Sequence, residues 1–293
     1  MSTIKSHAVG NGDMFYIRHG SDNFSIIDCC LSDENRERLV DEIEQARAGK
    51  GVTRFISTHP DEDHLRGLRY LDERLGLVNF YCTSNEIIKE DESEDFKHYC
   101  TLRDSEKAFH IRRGRSRKWM NEASDERGSS GISIVWPAIE NEHYKDALAL
   151  AEEGGSPNNT SAVIKYSING GACFLWMGDL ETAFMEEVAN AIEWPKVDVV
   201  LAAHHGRSSG RIPHSILDQL KPRVIVIGEA PSRHLHYYGG YNTLTQNTLG
   251  DITFECKANK VHVFVSEAGC DVDFLDDEGV TGDDHYVGTL NIG

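Results

Sequence analysis

With 293 residues, 39% of them hydrophobic and 27% charged, the chain has the composition of a soluble globular protein able to bury a sizeable core. Its formal net charge of −18 repels polyanions and anionic membrane surfaces over most of the molecule, so nucleic acid must be met through a local exception. No apolar run approaches the roughly 20 residues that span a bilayer, and the opening MSTIKSHAVGNGD lacks the apolar core of a signal peptide, so a cytoplasmic protein without membrane contact is expected. The seven cysteines are scattered and never spaced C-x-x-C, a pattern of reduced thiols and not of disulfides or a cysteine zinc site.

MFYIRH and FSIID read as short strands joined by the turn GSDN, the second ending at Asp28. A helix is expected from about Asp33, with Leu39, Ile43 and Ala46 on one stripe and Gly49 closing it. The strand TRFIST leads into STHPDEDHLRGL and a helix near Leu65, and LVNFYCT is a further strand. From 88 to 131 the pattern dissolves into charge, with acidic KEDESED followed by basic KAFHIRRGRSRKW; both are too polar to bury much and read as an insertion. GISIVWP is a strand, a helix follows around Tyr144 to Ala151, and the strands TSAVIKYSI and ACFLWM meet at the hairpin signal NGG. GDLE then opens a helix, and VDVVLAA, RVIVIG, ITFECK and KVHVFVS complete the strands. Residues 267–293 read as an acidic, solvated tail on a single domain spanning 1–293. Strands alternating with helices in two similar halves predict an α/β fold of two packed mixed sheets with helices outside.

Three strand ends carry the chemistry. HPDEDH places His59, Asp61, Asp63 and His64 on a loop after a strand, where alternate residues can face one side. MGDLE supplies Asp179 at a second strand end and AAHHG supplies His204 and His205 at a third. Imidazole and carboxylate together form the ligand set of first-row divalent metals, and a site with two such metals must add a bridging group. A rival signal overlaps the last loop: GRSSG, Gly206 to Gly210, matches the G-x-S-x-G nucleophile elbow, which would make Ser208 the nucleophile of a serine esterase.

These residues resemble the metallo-β-lactamase fold superfamily, whose signature H-x-H-x-D-H reads here H-x-D-x-D-H. Within it they resemble the hydrolase domain of competence DNA-uptake (ComEC-type) proteins, also through VGNGD, the IID strand end, NNTSAVIKY, FLWMGDLE and LAAHHGRSSG. The resemblance implies an αββα sandwich with two divalent metal ions, Zn or Mn, at the sheet edge. It places His59 and Asp61 on one metal, Asp63 and His64 on the other, and Asp179 between them. One of His204 and His205 completes the second site, with His205 preferred of the two. The superfamily's third-strand histidine is missing, and Asn158 or Asn159 stands nearby, Asn159 being taken as a substrate contact.

Two metals about 3.5–4 Å apart would hold and activate a hydroxide, leaving the protein to supply a proton through His204 or His236, with Asp63 as a further catalytic group. Asp61 in a histidine's place makes the site harder and more negative, which suits Mn²⁺ and anionic phosphodiesters. The expectation is a phosphodiesterase or nuclease acting on nucleic acid or nucleotides, with a protein partner left open. Arg112, Arg113, Arg115 and Lys118 would track the backbone and Trp119 would stack on a base, unless the basic run pairs with KEDESED. The alternatives are the Ser208 esterase and a non-catalytic binding module on the same fold.

Overall fold

The computed structural model describes residues 1–282 and 284–292, with Ser232 given by its backbone alone. The chain opens with strands β1 (Ser2–Ser6), β2 (Phe15–Arg18), β3 (Asn23–Ile27), β4 (Val52–Ile56), β5 (Phe80–Cys82) and β6 (Ala108–His110). It continues with β7 (Ile132–Trp136), β8 (Val163–Ser167), β9 (Cys173–Trp176), β10 (Val199–Leu201), β11 (Val224–Ile227) and β12 (Thr243–Thr245). It closes with β13 (Ile252–Lys257), β14 (Lys260–Val265) and β15 (His285–Asn291). Among the described residues these make a nine-stranded sheet, β15-β14-β13-β1-β2-β3-β4-β5-β6, and a six-stranded sheet, β12-β11-β10-β9-β8-β7. Both are mixed: β3 to β6 and β9 to β12 are parallel runs, and the other neighbours are antiparallel.

The helices are α1 (Arg36–Arg47), α2 (Glu62–Leu65), α3 (Leu68–Leu75), α4 (Glu94–Arg103), α5 (Glu142–Glu152), α6 (Thr182–Val188), α7 (His214–Leu220) and α8 (Gln246–Leu249). Strand alternation sets the layers. In β11, Val224 and Val226 enter the core between the sheets, while Ile225 and Ile227 enter an outer core with Phe184 of α6 and Leu217 of α7. On the other side, Leu39 and Ile43 of α1, Leu71 of α3 and Tyr99 of α4 pack on Phe24, Phe55 and Phe80. Helix, sheet, sheet, helix is therefore the order of layers, the αββα sandwich expected from sequence.

Two stretches differ from expectation. Residues 88–131 bury more than their charge suggests, because α4 carries Phe96, Tyr99 and Leu102 on one stripe into the outer core and β6 extends the first sheet beside β5. Ser93 caps that helix, accepting from the Phe96 amide at 3.0 Å. The acidic end is not simply solvated either: β15 pairs antiparallel with β14, and Val272, Leu275 and Leu290 join the core between the sheets. Positions 283 and 293 of that tail lie outside the described residues. No helix among the described residues is long and apolar enough to cross a membrane.

Candidate metal centre

The parallel runs aim their carboxyl ends at one edge of the sandwich. Asp28 follows β3, residues 57 to 64 follow β4, Asp179 follows β9, and His204 and His205 follow β10. Local backbone fixes each one. Gly178 has φ +53, and a Cβ there would stand 2.7 Å from Ser161 Oγ, the atom that accepts from the Asp179 amide at 3.0 Å. His204 and His205 both adopt left-handed backbone, φ 52 and 55, a costly conformation for side-chain-bearing residues and one that marks functional turns.

All four imidazoles are held by Nδ1, which leaves Nε2 free. His64 Nδ1 lies 2.9 Å from Asp28 Oδ2, whose carboxylate also accepts from the Thr58 amide and hydroxyl at 2.7 and 2.6 Å. His205 Nδ1 lies 3.0 Å from Asp13 Oδ1. Gly12 lets that residue approach, since a Cβ on it would strike Cys30 Sγ and the Asp63 carbonyl. His59 Nδ1 meets Thr58 Oγ1 at 3.1 Å and His204 Nδ1 meets Ser209 Oγ at 3.0 Å. A carboxylate behind a ligating histidine is the usual arrangement of metal-site imidazoles, fixing both ring and tautomer.

The free ends converge on Asp179. His64 Nε2 is 3.1 Å from its Oδ1, and His205 Nε2 and His204 Nε2 are 3.5 and 3.7 Å from its Oδ2. Asp63 flanks them, 3.5 Å from His205 Nε2 and 4.0 Å from His64 Nε2. Yet the Nε2 atoms of His59, His64 and His205 and Oδ1 of Asp179 are buried without a well-formed hydrogen bond. Buried polar atoms left in this state carry a desolvation cost of about 1–3 kcal/mol each, and a divalent cation would satisfy those of His64, His205 and Asp179 at once. Asp13, His64, Asp179 and His205 have ligand atoms within 4.8 Å of one another, so the donor set fits a metal.

Electrostatics agree. Burial opposes charge on both imidazoles, but Asp179 with Asp28 raises His64, and Asp179 with Asp13 raises His205, well above the ordinary histidine range. Burial would raise Asp63 too, but His205 and His64 draw it down to about 2. His59, buried beside His64, is pushed down to about 3. Without a metal, protons on His64 and His205 offset the carboxylates around them.

The remaining candidates divide. Asp61 caps α2, accepting from the Glu62 amide at 2.9 Å, and also holds Lys89. Asn159 is not free for a substrate: its amide spans Glu181, donating to Oε2 at 3.1 Å and accepting from the backbone at 3.0 Å. Its neighbour Asn158 is the buried one, with an unpartnered Oδ1. His236 is exposed on the turn after β11, with no hydrogen bond or ion pair to the cluster among the described residues. Ser208 is exposed, and the hydroxyl against an imidazole is that of Ser209. The left-handed strain of an elbow also falls on the histidines and not on Ser208, which removes the geometric basis of the esterase reading.

Arg112 and Arg113 follow the carboxyl end of β6, which runs parallel to β5, and Arg113 N donates to the Pro137 carbonyl after β7 at 2.7 Å, so they lie at the same end of the sandwich as the metal centre. With Arg115 they line a surface cavity of about 440 Å³. No carboxylate pairs with Arg112, Arg113, Arg115, Arg117 or Lys118 among the described residues, so KEDESED does not neutralise them. Trp119 does not offer a free face: Lys118 and Arg127 stand 5.5 and 5.4 Å from its ring centre, and its Nε1 donates to Ser124.

Three residues on which sequence reasoning placed no role in the site complete the centre. Asp13 and Asp28 orient imidazoles, and Arg207, beside His204, has a buried Nε with no partner. A second cluster, His7, Glu42 and Asp251, already contains a cation, since Lys5 Nζ sits 2.8 Å from Glu42 and 3.8 Å from Asp251.

No family model matches the chain. Over 87 residues, 30% of the chain, it is 32% identical to ComE operon protein 3 of Bacillus subtilis (strain 168) and spans 11% of that protein's length. Solved structures similar to it include the metallo-β-lactamase SMB-1 in a complex with mercaptoacetic acid, with TM-score 0.41 and 13% identity, covering 71% of this chain and 82% of that one. Rm3 metallo-β-lactamase gives TM-score 0.39 and 13% identity over 71% of this chain and 81% of that one.

Proposed function

We propose that the protein is a metal-dependent hydrolase of phosphodiesters, acting on nucleic acid or nucleotides with Mn²⁺ or Zn²⁺. The observation that carries this reading is the convergence of the buried, unpartnered Nε2 atoms of His64 and His205 on the two carboxylate oxygens of Asp179. His64, His205, Asp179 and Asp63 would hold the ion, oriented from behind by Asp28 and Asp13. When bound, it supplies a Lewis acid that polarises the scissile group and acidifies the attacking water.

The chain's own residues do the rest. With Nδ1–H given to Ser209, His204 keeps its Nε2 lone pair facing Asp179. Burial lowers His204 below the ordinary histidine range, so a proton taken at Nε2 is readily passed on to the leaving oxygen. Arg207 and the unpaired basic run give a chain of net charge −18 a local attraction for phosphate. Turnover of a generic phosphodiester, DNA, RNA and cyclic nucleotides with Mn²⁺, Zn²⁺ and Mg²⁺, set against a neutral ester and a lactam, tests the reading; hydrolysis confined to the neutral compounds contradicts it.

A further inference from the structure

We propose that Lys89 takes the place of one of the two metal ions: the chain holds a single resident divalent cation at His64, Asp179 and His205, and its own ammonium occupies the His59–Asp61 side. This rests on the metal-centre reading above and divides that centre into unequal halves.

The ammonium is fixed on two sides. Lys89 Nζ lies 2.9 Å from Asp61 Oδ1, and the buried ring of Phe96 lies beneath it, 5.0 Å away at its centre. The segment that carries it is tied to the ligand loop, since Ser93 Oγ donates to Glu62 Oε2 at 2.8 Å while capping α4. The Lys89 side chain is 21% exposed and that of Asp61 37%, so the ammonium is the more shielded member of the pair.

The ligands on that side are correspondingly poor. His59 offers an unpartnered Nε2, but Asp61 Oδ1 already accepts from Lys89 and from the Glu62 amide. With the Asp61 carboxylate balanced by the ammonium, that side keeps no uncompensated carboxylate of its own, and a second ion would have to displace the ammonium or sit against it. On the other side, two imidazoles braced by Asp28 and Asp13 face Asp179 and Asp63, and no lysine or arginine forms an ion pair with either carboxylate among the described residues.

Titration of the metal-stripped full-length protein with Mn²⁺ by calorimetry, with bound metal counted after dialysis, tests this without recourse to activity. Wild type is expected to retain one equivalent. Lys89→Met should gain a second, tightened by about tenfold or more, the scale on which groups behind the ligands tune a metal site, whereas Lys89→Arg should keep one. Two equally tight equivalents in wild type, or a Lys89→Met protein with an unaltered melting curve that still binds one, would overturn the role of Lys89. Failure of every form to bind any would instead overturn the metal centre itself, and this inference with it.

Discussion

Asp28 and His64 are joined by a 2.9 Å contact between Oδ2 and Nδ1, and with Thr58 holding both carboxylate oxygens the ring has one way to point, toward Asp179. The Asp28→Ala variant should therefore lose about 10–100-fold in metal affinity although Asp28 touches no metal. Competition with a chromophoric chelator measures it. Wild-type affinity in the variant would mean that His64 is held by packing alone.

Arg207 should matter for charged substrates only. Removing a charge-assisted hydrogen bond to phosphate costs about 1.5–3 kcal/mol, so Arg207→Ala should raise KM for an anionic phosphodiester by about tenfold or more with kcat less affected. A neutral ester of similar size is the control. An equal change for both would make Arg207 a prop for the loop and not a phosphate ligand.

Stability should depend on pH in opposite ways with and without metal. In chelated protein the raised His64 and His205 contribute stability that is full below the unfolded value of about 6.5 and is lost as pH rises through their folded values. Asp63, drawn down to about 2, contributes above the unfolded carboxylate range and loses its share as pH falls toward that value. The melting temperature of chelated protein should thus decline on the alkaline side, while metal, taking the place of the protons, should stabilise more as pH rises. A metal-induced shift in melting temperature that is constant from neutral to alkaline pH would contradict the assignment.

The cluster of candidate ligands could be picked out because its residues are of rare type, crowded in sequence and placed at strand ends. The groups that aim them were not: Asp28 lies 36 residues from His64, and Asp13 lies 192 from His205, and nothing but the closed sheets joins them. Lys89 was hidden for the same reason, as a single common residue. Helix α4 escaped notice because its buried stripe, Phe96, Tyr99 and Leu102, is one residue wide in a charged background, and β15 because its pairing is with a strand already formed. The layer order needed less, since alternation in strands such as β11 is written directly in VIVI.

The basic run predicts how binding depends on salt. Neutralising Arg112, Arg113 and Arg115 together should weaken polynucleotide binding and flatten its salt dependence by roughly 0.7–0.9 for each phosphate that is no longer neutralised, while cleavage of a small phosphodiester persists. A wild-type salt slope on both DNA and RNA would remove the run from the substrate path.

The central claim is that Asp179 and the imidazoles around it form a hydrolytic metal centre. Its most direct test is hydrolysis of a generic phosphodiester by chelated protein, by the same protein after Mn²⁺ or Zn²⁺ is returned, and by Asp179→Ala under metal. Loss of turnover on chelation, recovery with metal, and no turnover by Asp179→Ala are the predicted results; undiminished hydrolysis by metal-free protein or by Asp179→Ala would contradict the account.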